Sequence, residues 1–187
     1  MQKWLENKFT NCLNFEHTIF LSEAVIEFLL NKHKLKIINK FYFKEHSIFY
    51  AVSKDESIDT QTIQAPNEYT KNKKLYENMQ KFYTAKIAEL NEILKISKQE
   101  IYLFGAHLFS QYLLYHGLKS DTIKAILDNN INKQGKRLYG TSLFVQSPKI
   151  LKDKDNALLI LNAGAYNEEI KKDILENINN KIQIISF

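Results

Sequence analysis

The sequence predicts an α/β fold: a mostly parallel, five-stranded, Rossmann-like sheet in the C-terminal part, preceded by a helix, a strand pair and a long bracing helix. Three observations predict it. Short, continuously apolar runs alternate with helical patterns from residue 100 onward, the signature of strands buried on both faces. Residues 35–52 hold two β-branched and aromatic runs separated by polar residues. Between them and the sheet lies a long stretch of helical periodicity with no Gly or Pro inside.

The elements follow in order. "SEAVIEFLLNKHK" (22–34) has apolar residues at 25, 26, 28, 29 and 30, and Ser22 is placed to cap the helix. "LKIINKFYF" (35–43) and "SIFYAV" (47–52) read as adjacent, antiparallel strands. "KDESIDTQTIQAP" (54–66) is a polar loop ending in Pro66. The long helix carries apolar residues at 75, 79, 82, 83, 87, 90 and 94. "IYLFG" (101–105) is a strand, "AHLFSQYLLYHG" a helix closed by Gly117, "IKAIL" (123–127) a strand running into Asp128, and "SLFV" (142–145) a third strand. "SPKILKD" (147–153) is a short helix with Ser147 as cap and Pro148 in the first position. "ALLIL" (157–161), the helix 167–178 and "IQIIS" (182–186) complete the pattern. Three regions result: 1–66, 67–97 and 98–187.

Composition narrows the function classes. The 187 residues are 44% hydrophobic and 25% charged, as in ordinary globular domains. No apolar run approaches bilayer length and no secretion signal is apparent, so a cytoplasmic protein with no membrane partner is expected. Cys12 is alone, which excludes an internal disulfide, argues against zinc held by paired thiolates and fits a reducing compartment. The net charge of +5 is scattered as lysines among acids; that pattern argues for a solvated face and against nucleic acid, while remaining compatible with an anionic substrate.

The candidate chemistry lies in two places. A strand feeding Gly105 and then a helix is a place where a phosphate can sit, because the helix N-terminus offers unpaired N–H groups. Only one glycine is present, so the full GxGxxG is absent. His107 opens the helix and is placed to face a ligand. Asp128 ends the second strand, where folds of this type hold a ribose; the alternative is a turn cap. Lys136 and Arg137 stand in the polar loop 128–143, and Arg suits bidentate contact with phosphate or carboxylate; a solvated turn set by Gly135 and Gly140 is the alternative. The second place is "NFEHTIF" (14–20), where Glu16 and His17 put a carboxylate beside an imidazole. His33 and His116 read as helix-end residues, and the histidine spacing suggests no metal site.

The run of motifs, from "NFEHTIFLSEAVIEFLL" through "IYLFGAHLFSQYLLYHGL" and "ILDNNINKQGKRLYGTSLFVQSP" to "ALLILNAGAYNEEI", resembles the C-terminal half of class I S-adenosylmethionine-dependent methyltransferases of the sugar C-methyltransferase type. The resemblance extends over residues 10–187 and has the flavour of surface-polysaccharide loci. It implies the acceptor-binding half of such an enzyme, acting on a nucleotide sugar or phosphorylated sugar. It implies His17 as general base, with Glu16 orienting it, and His46 and Ser47 as remnants of a family His-Gly-Gly-Ser stretch. A family Lys-Gly pair after the strand-turn is Phe109–Ser110 here. No E/DxGxGxG turn occurs, so S-adenosylmethionine is expected to be bound only by a separate domain, in cis or in trans, and not by this chain alone. A homodimer contact through the long helix is compatible. The alternative is a non-catalytic nucleotide-sugar-binding module or a dimerising remnant.

Overall fold

The computed structural model describes residues 2–13, 19–43 and 47–187, with the side chains of residues 11 and 12 set aside. The chain divides into two compact units, Met1–Lys8 with Cys12–Met79, and Phe9–Asn11 with Gln80–Phe187.

In the first unit, α1 spans Gln2–Glu6; the 3-10 turn that follows at Thr10–Leu13 begins in the second unit's segment and ends in the first's. The sequence reading assigns neither, because five- and four-residue turns leave too short a pattern for helical periodicity to register. Helix α2 (Glu23–Lys32) starts where Ser22 predicts: its hydroxyl accepts the Val25 N–H at 3.3 Å and donates to the Glu68 carboxylate. Strands β1 (Leu35–Phe43) and β2 (Ser47–Lys54) pair antiparallel with an irregularity between Ile37 and Asn39. Lys40 on β1 meets Glu27 of α2 at 2.7 Å and also pairs with Glu23, while the Tyr42 hydroxyl donates to Glu23 at 2.6 Å.

Helix α3 (Tyr69–Ile96) runs 28 residues, within the predicted range, and the boundary between the units falls inside it. In the second unit its buried residues Tyr83, Ile87, Leu90 and Leu94 recur at i, i+4, i+7 and i+11, one stripe of a helix facing a core.

The second unit is built on β3 (Glu100–Phe104), β4 (Ile123–Leu127), β5 (Val145–Gln146), β6 (Ala157–Leu161) and β7 (Gln183–Ser186). All pair in parallel, in the order β5-β4-β3-β6-β7. This is the doubly wound arrangement expected from the alternation of apolar strands and helices. Every residue of β6 is buried. Tyr102, Phe104, Ala125, Leu127, Leu159 and Leu161 form the core on one face. Helix α4 (Leu108–Tyr115) links β3 to β4; it ends at His116, whose ring lies 4.2 Å from that of Tyr112, and Gly117 follows with φ 103°. Ser147 caps a 3-10 turn at Pro148–Asp153 by accepting the Lys149 N–H.

Two boundaries differ from the sequence reading. The strand expected at 142–145 is only Val145–Gln146. Upstream of it the chain pairs with its own loop: Leu138 N–H donates to Leu143, Val145 N–H to Lys136, and Arg137 bridges Phe144 antiparallel. The helix expected at 167–178 is α-helical as α5 (Asn167–Asp173) and then widens to a π-turn at Ile174–Ile178. Asn179 anchors that widened end, donating through Nδ2 to the carbonyls of Leu151 and Lys154 at 2.8 Å. Among the described residues, no helix is long and apolar enough to cross a membrane.

Candidate functional site at the sheet switch point

In the second unit the chain leaves β3 toward β4 and β5 on one side, and returns to lay β6 and β7 on the other. Crossovers therefore diverge at the carboxyl ends of β3 and β6, the position where open α/β sheets receive ligands.

On the β3 side, Gly105 takes φ 99° and donates its N–H to Leu127 at 2.7 Å. It is buried, yet a Cβ added there would meet nothing within 4 Å. His107 is the extended N-cap of α4 and makes no side-chain cap. Its ring is exposed. The first-turn amides of α4 lack intrahelical acceptors, as at any helix start. Ser110 Oγ donates to the Phe104 carbonyl at 3.2 Å and so pins that turn over the end of β3.

Asp128, nearly buried, organises the loop after β4. One carboxylate oxygen accepts the Asn130 N–H at 2.8 Å; the other accepts the Ala106 N–H at 2.8 Å and Lys133 Nζ at 3.1 Å. One acid thus joins the β3 turn to the β4 loop. Lys136 and Arg137 are exposed farther along this loop. Arg137 and Tyr139 to Ser142 line an open cleft of about 750 Å³. A second cleft of about 530 Å³ shares Tyr139–Ser142 and reaches Gln111 and Tyr115 of α4.

On the β6 side stand residues that the sequence reading does not single out. Leu161 is paired with Phe104, so the register continued by one residue sets Asn162 beside Gly105. Asn162 is 2% exposed; its Oδ1 accepts the Tyr83 hydroxyl at 3.3 Å, and its Nδ2 has no partner among the described residues. The Tyr83 ring meets Tyr112 of α4 edge-on at 4.8 Å. Two residues past Asn162, Gly164 lies against Phe9, whose Cδ1 sits 3.1 Å from where a Cβ would be. The neighbouring Thr10 is 1% exposed and its Oγ1 likewise has no partner among the described residues. The available signal was a polar residue closing "ALLIL", an otherwise wholly apolar run.

The structure thus brings Gly105, His107 and Asp128 to the carboxyl edge of the sheet, with Lys136 and Arg137 on the loop that Asp128 begins. Ser47 opens β2 in the first unit, opposite Phe43. Glu16, His17 and His46 lie outside the described residues. The clearest electrostatic perturbation in the first unit is at Lys40: Glu23, then Glu27, hold its ammonium above the ordinary lysine range, and Lys40 with Tyr42 holds the Glu23 carboxyl below its ordinary value. No group of three or more His, Cys, Asp or Glu among the described residues is arranged to hold a metal.

No match to the chain was found among curated proteins. A family comparison is decisive: residues 47–186, from the start of β2 to the end of β7, match the C-methyltransferase C-terminal domain. The chain, with its doubly wound parallel sheet, belongs to the C-methyltransferase C-terminal domain family.

Proposed function

We propose that the chain is the acceptor-binding half of a methyltransferase, that its acceptor is a nucleotide sugar or a phosphorylated sugar precursor of a polysaccharide, and that the work is cytoplasmic. The observation that carries this reading is the open space above Gly105 at the switch point, in a chain whose family is the C-terminal domain of C-methyltransferases.

S-adenosylmethionine, when bound, supplies a methyl group on a sulfonium. The residues at this chain's switch point do not fit that cofactor. The β3 turn carries one glycine, and the acid at the end of β4 is engaged at both oxygens by Ala106, Asn130 and Lys133, where a ribose diol needs an accepting carboxylate. The cofactor therefore belongs to a separate domain, in cis or in trans.

This chain's own residues bind, orient and deprotonate. Methylation of a carbon or hydroxyl requires removal of the acceptor's proton, and a histidine titrates near neutrality. The role of general base is assigned to His17, with Glu16 orienting the imidazole, and acceptor binding in the first unit to His46 and Ser47. Gly105 leaves room for the ligand, and His107, Lys136 and Arg137 contact it. Asp128 holds the turn and loop that present them.

The test is reconstitution. The chain joined to, or mixed with, an S-adenosylmethionine-binding methyltransferase domain transfers labelled methyl to a nucleotide-sugar acceptor. His17→Ala lowers kcat by about 10²–10⁴-fold with melting unchanged. Calorimetric evidence of tight S-adenosylmethionine binding by the chain alone would sink the division of labour.

A further inference from the structure

The hollow between α4 and the loop tip at 139–142 takes no part in the chemistry proposed above. It holds about 530 Å³, within the range of about 300–1,000 Å³ usual for small-molecule sites. All of its lining belongs to the second unit. The chain runs from the carboxyl end of β3 through α4 to the amino end of β4. Tyr115, the last residue of α4, and Ser120, just before β4, therefore lie toward the end of the sheet opposite the switch point.

The lining selects the ligand chemistry. Nine residues border the hollow and none is charged, in a chain that is 25% charged. Arg137 belongs to the adjoining cleft and not to this one. Such a wall has no cation to pair with a phosphate or carboxylate, so a neutral ligand suits it. Tyr115 and Tyr139 are 86% and 87% exposed at its border. The face of an aromatic ring is electron-rich, and the C–H groups on one face of a pyranose pack against it. The same hollow is bordered by the amide of Gln111 and the exposed hydroxyls of Ser120 and Ser142, groups that both give and accept hydrogen bonds. A sugar presents the matching combination, an apolar ring face with hydroxyls at its rim.

The hollow is held in shape by the protein's own bonds. Gln111 Nε2 donates to the Tyr139 carbonyl at 3.4 Å and joins the helix to the loop tip. Gly140 takes φ 78°. Thr141 Oγ1 donates to the Leu138 carbonyl at 2.9 Å and accepts the Leu143 N–H at 3.1 Å. These contacts fix the turn that carries Tyr139 and Ser142.

We propose that this hollow binds a neutral saccharide of one or two pyranose units, apart from the switch point. Tyr115 and Tyr139 are its stacking platforms, and Gln111, Ser120 and Ser142 read the sugar hydroxyls. The site is independent of the acceptor-binding reading: a reconstitution that fails to transfer methyl leaves it standing.

The experiment adds methyl glucoside, maltose, cellobiose, lactose and N,N′-diacetylchitobiose in turn, at millimolar concentration, to the full isotopically labelled chain and follows amide shifts by NMR. At least one of them shifts the amides of Gln111, Ser120, Tyr139 and Ser142 and leaves those of Gly105 and Asp128 unmoved. Tyr139→Ala weakens that binding by about tenfold, and Tyr139→Phe, which keeps the ring, by no more than about threefold. Tyr115→Ala also weakens it. Both side chains are exposed, and the amide spectrum of each variant shows that the fold is kept. If no saccharide of the set shifts these amides, the proposal is overturned. Binding undiminished in both Tyr139→Ala and Tyr115→Ala overturns it as well. Shifts centred on Gly105 and Asp128 place the sugar at the switch point and do the same. Uridine monophosphate moving the hollow's amides where every saccharide fails assigns the hollow to a nucleotide instead.

Discussion

The β1–β2 hairpin and the five-stranded sheet are both rich in Ile, Leu, Phe and Tyr, yet they are stabilised differently. In β6 all five residues are buried. In β1 no residue is buried, and Ile38, Phe41, Tyr42 and Phe43 are all more than half exposed. A two-stranded ribbon has too little apolar area to be stable alone in water. What fixes this one on α2 is polar: Lys40 between Glu23 and Glu27, with Tyr42 adding a third contact. Similar composition thus yields a burial-driven element in one unit and one held by charge and register in the other.

The strongest blow to that contrast is in the sheet. Leu159 is fully buried in the middle of β6, and Leu159→Ala lowers the unfolding free energy of the second unit by about 2–5 kcal/mol through lost transfer energy and a cavity, read by chemical denaturation. A smaller effect comes from the turn beside it. Gly105→Ala costs about 1–2 kcal/mol because a side chain disfavours positive φ; the space around its Cβ is open, so the cost is backbone strain alone, and replacement by a D-alanine in semisynthetic protein restores stability. Next, Ser22→Ala removes the cap of α2 and costs about 1 kcal/mol, measured as faster amide exchange in α2 with β3–β7 unaffected.

The mildest perturbation sharpens the comparison most. The Glu23 carboxyl is held below its ordinary value of 4.5, so its contribution is complete above pH 4.5 and is lost as pH falls through the lower folded value. Lys40 is held above its ordinary 10.5, so its contribution is complete below that pH and is lost as pH rises through the higher folded value. Amide protection of the hairpin, corrected for intrinsic exchange, therefore has a plateau between these limits. Lys40→Met flattens the acid shoulder, and added salt lowers the wild-type plateau. A hairpin insensitive to both would mean that burial, not charge, holds it.

Much of this architecture is legible in the sequence because local rules and the fold agree. Ser22 and Ser147 precede the helical turns they cap, Gly117 supplies a positive φ just after α4, and the apolar positions of α3 recur with helical spacing. Where the reading falls short, a distant partner decides. β5 is cut to two residues because its upstream half pairs with residues 136–138 of its own loop, and no local pattern in "SLFV" records that. Asp128 is conspicuous in sequence as the acid after an apolar strand; that its oxygens are spent on Ala106 and Lys133 depends on the spacing between adjacent strands. Phe9 and Gly164 lie at opposite ends of the sequence, and no local pattern after "ALLIL" records that folding brings one onto the other.

The shortness of β5 has a consequence for solubility. A sheet edge is a row of open hydrogen-bonding groups that invites another chain to add a strand. At this edge only Val145 and Gln146 are strand, and Gly135 and Lys136 already take both backbone bonds of Val145. An approaching chain finds almost no ladder to extend, so the loop that presents Lys136 and Arg137 also shields the sheet from growing into an aggregate.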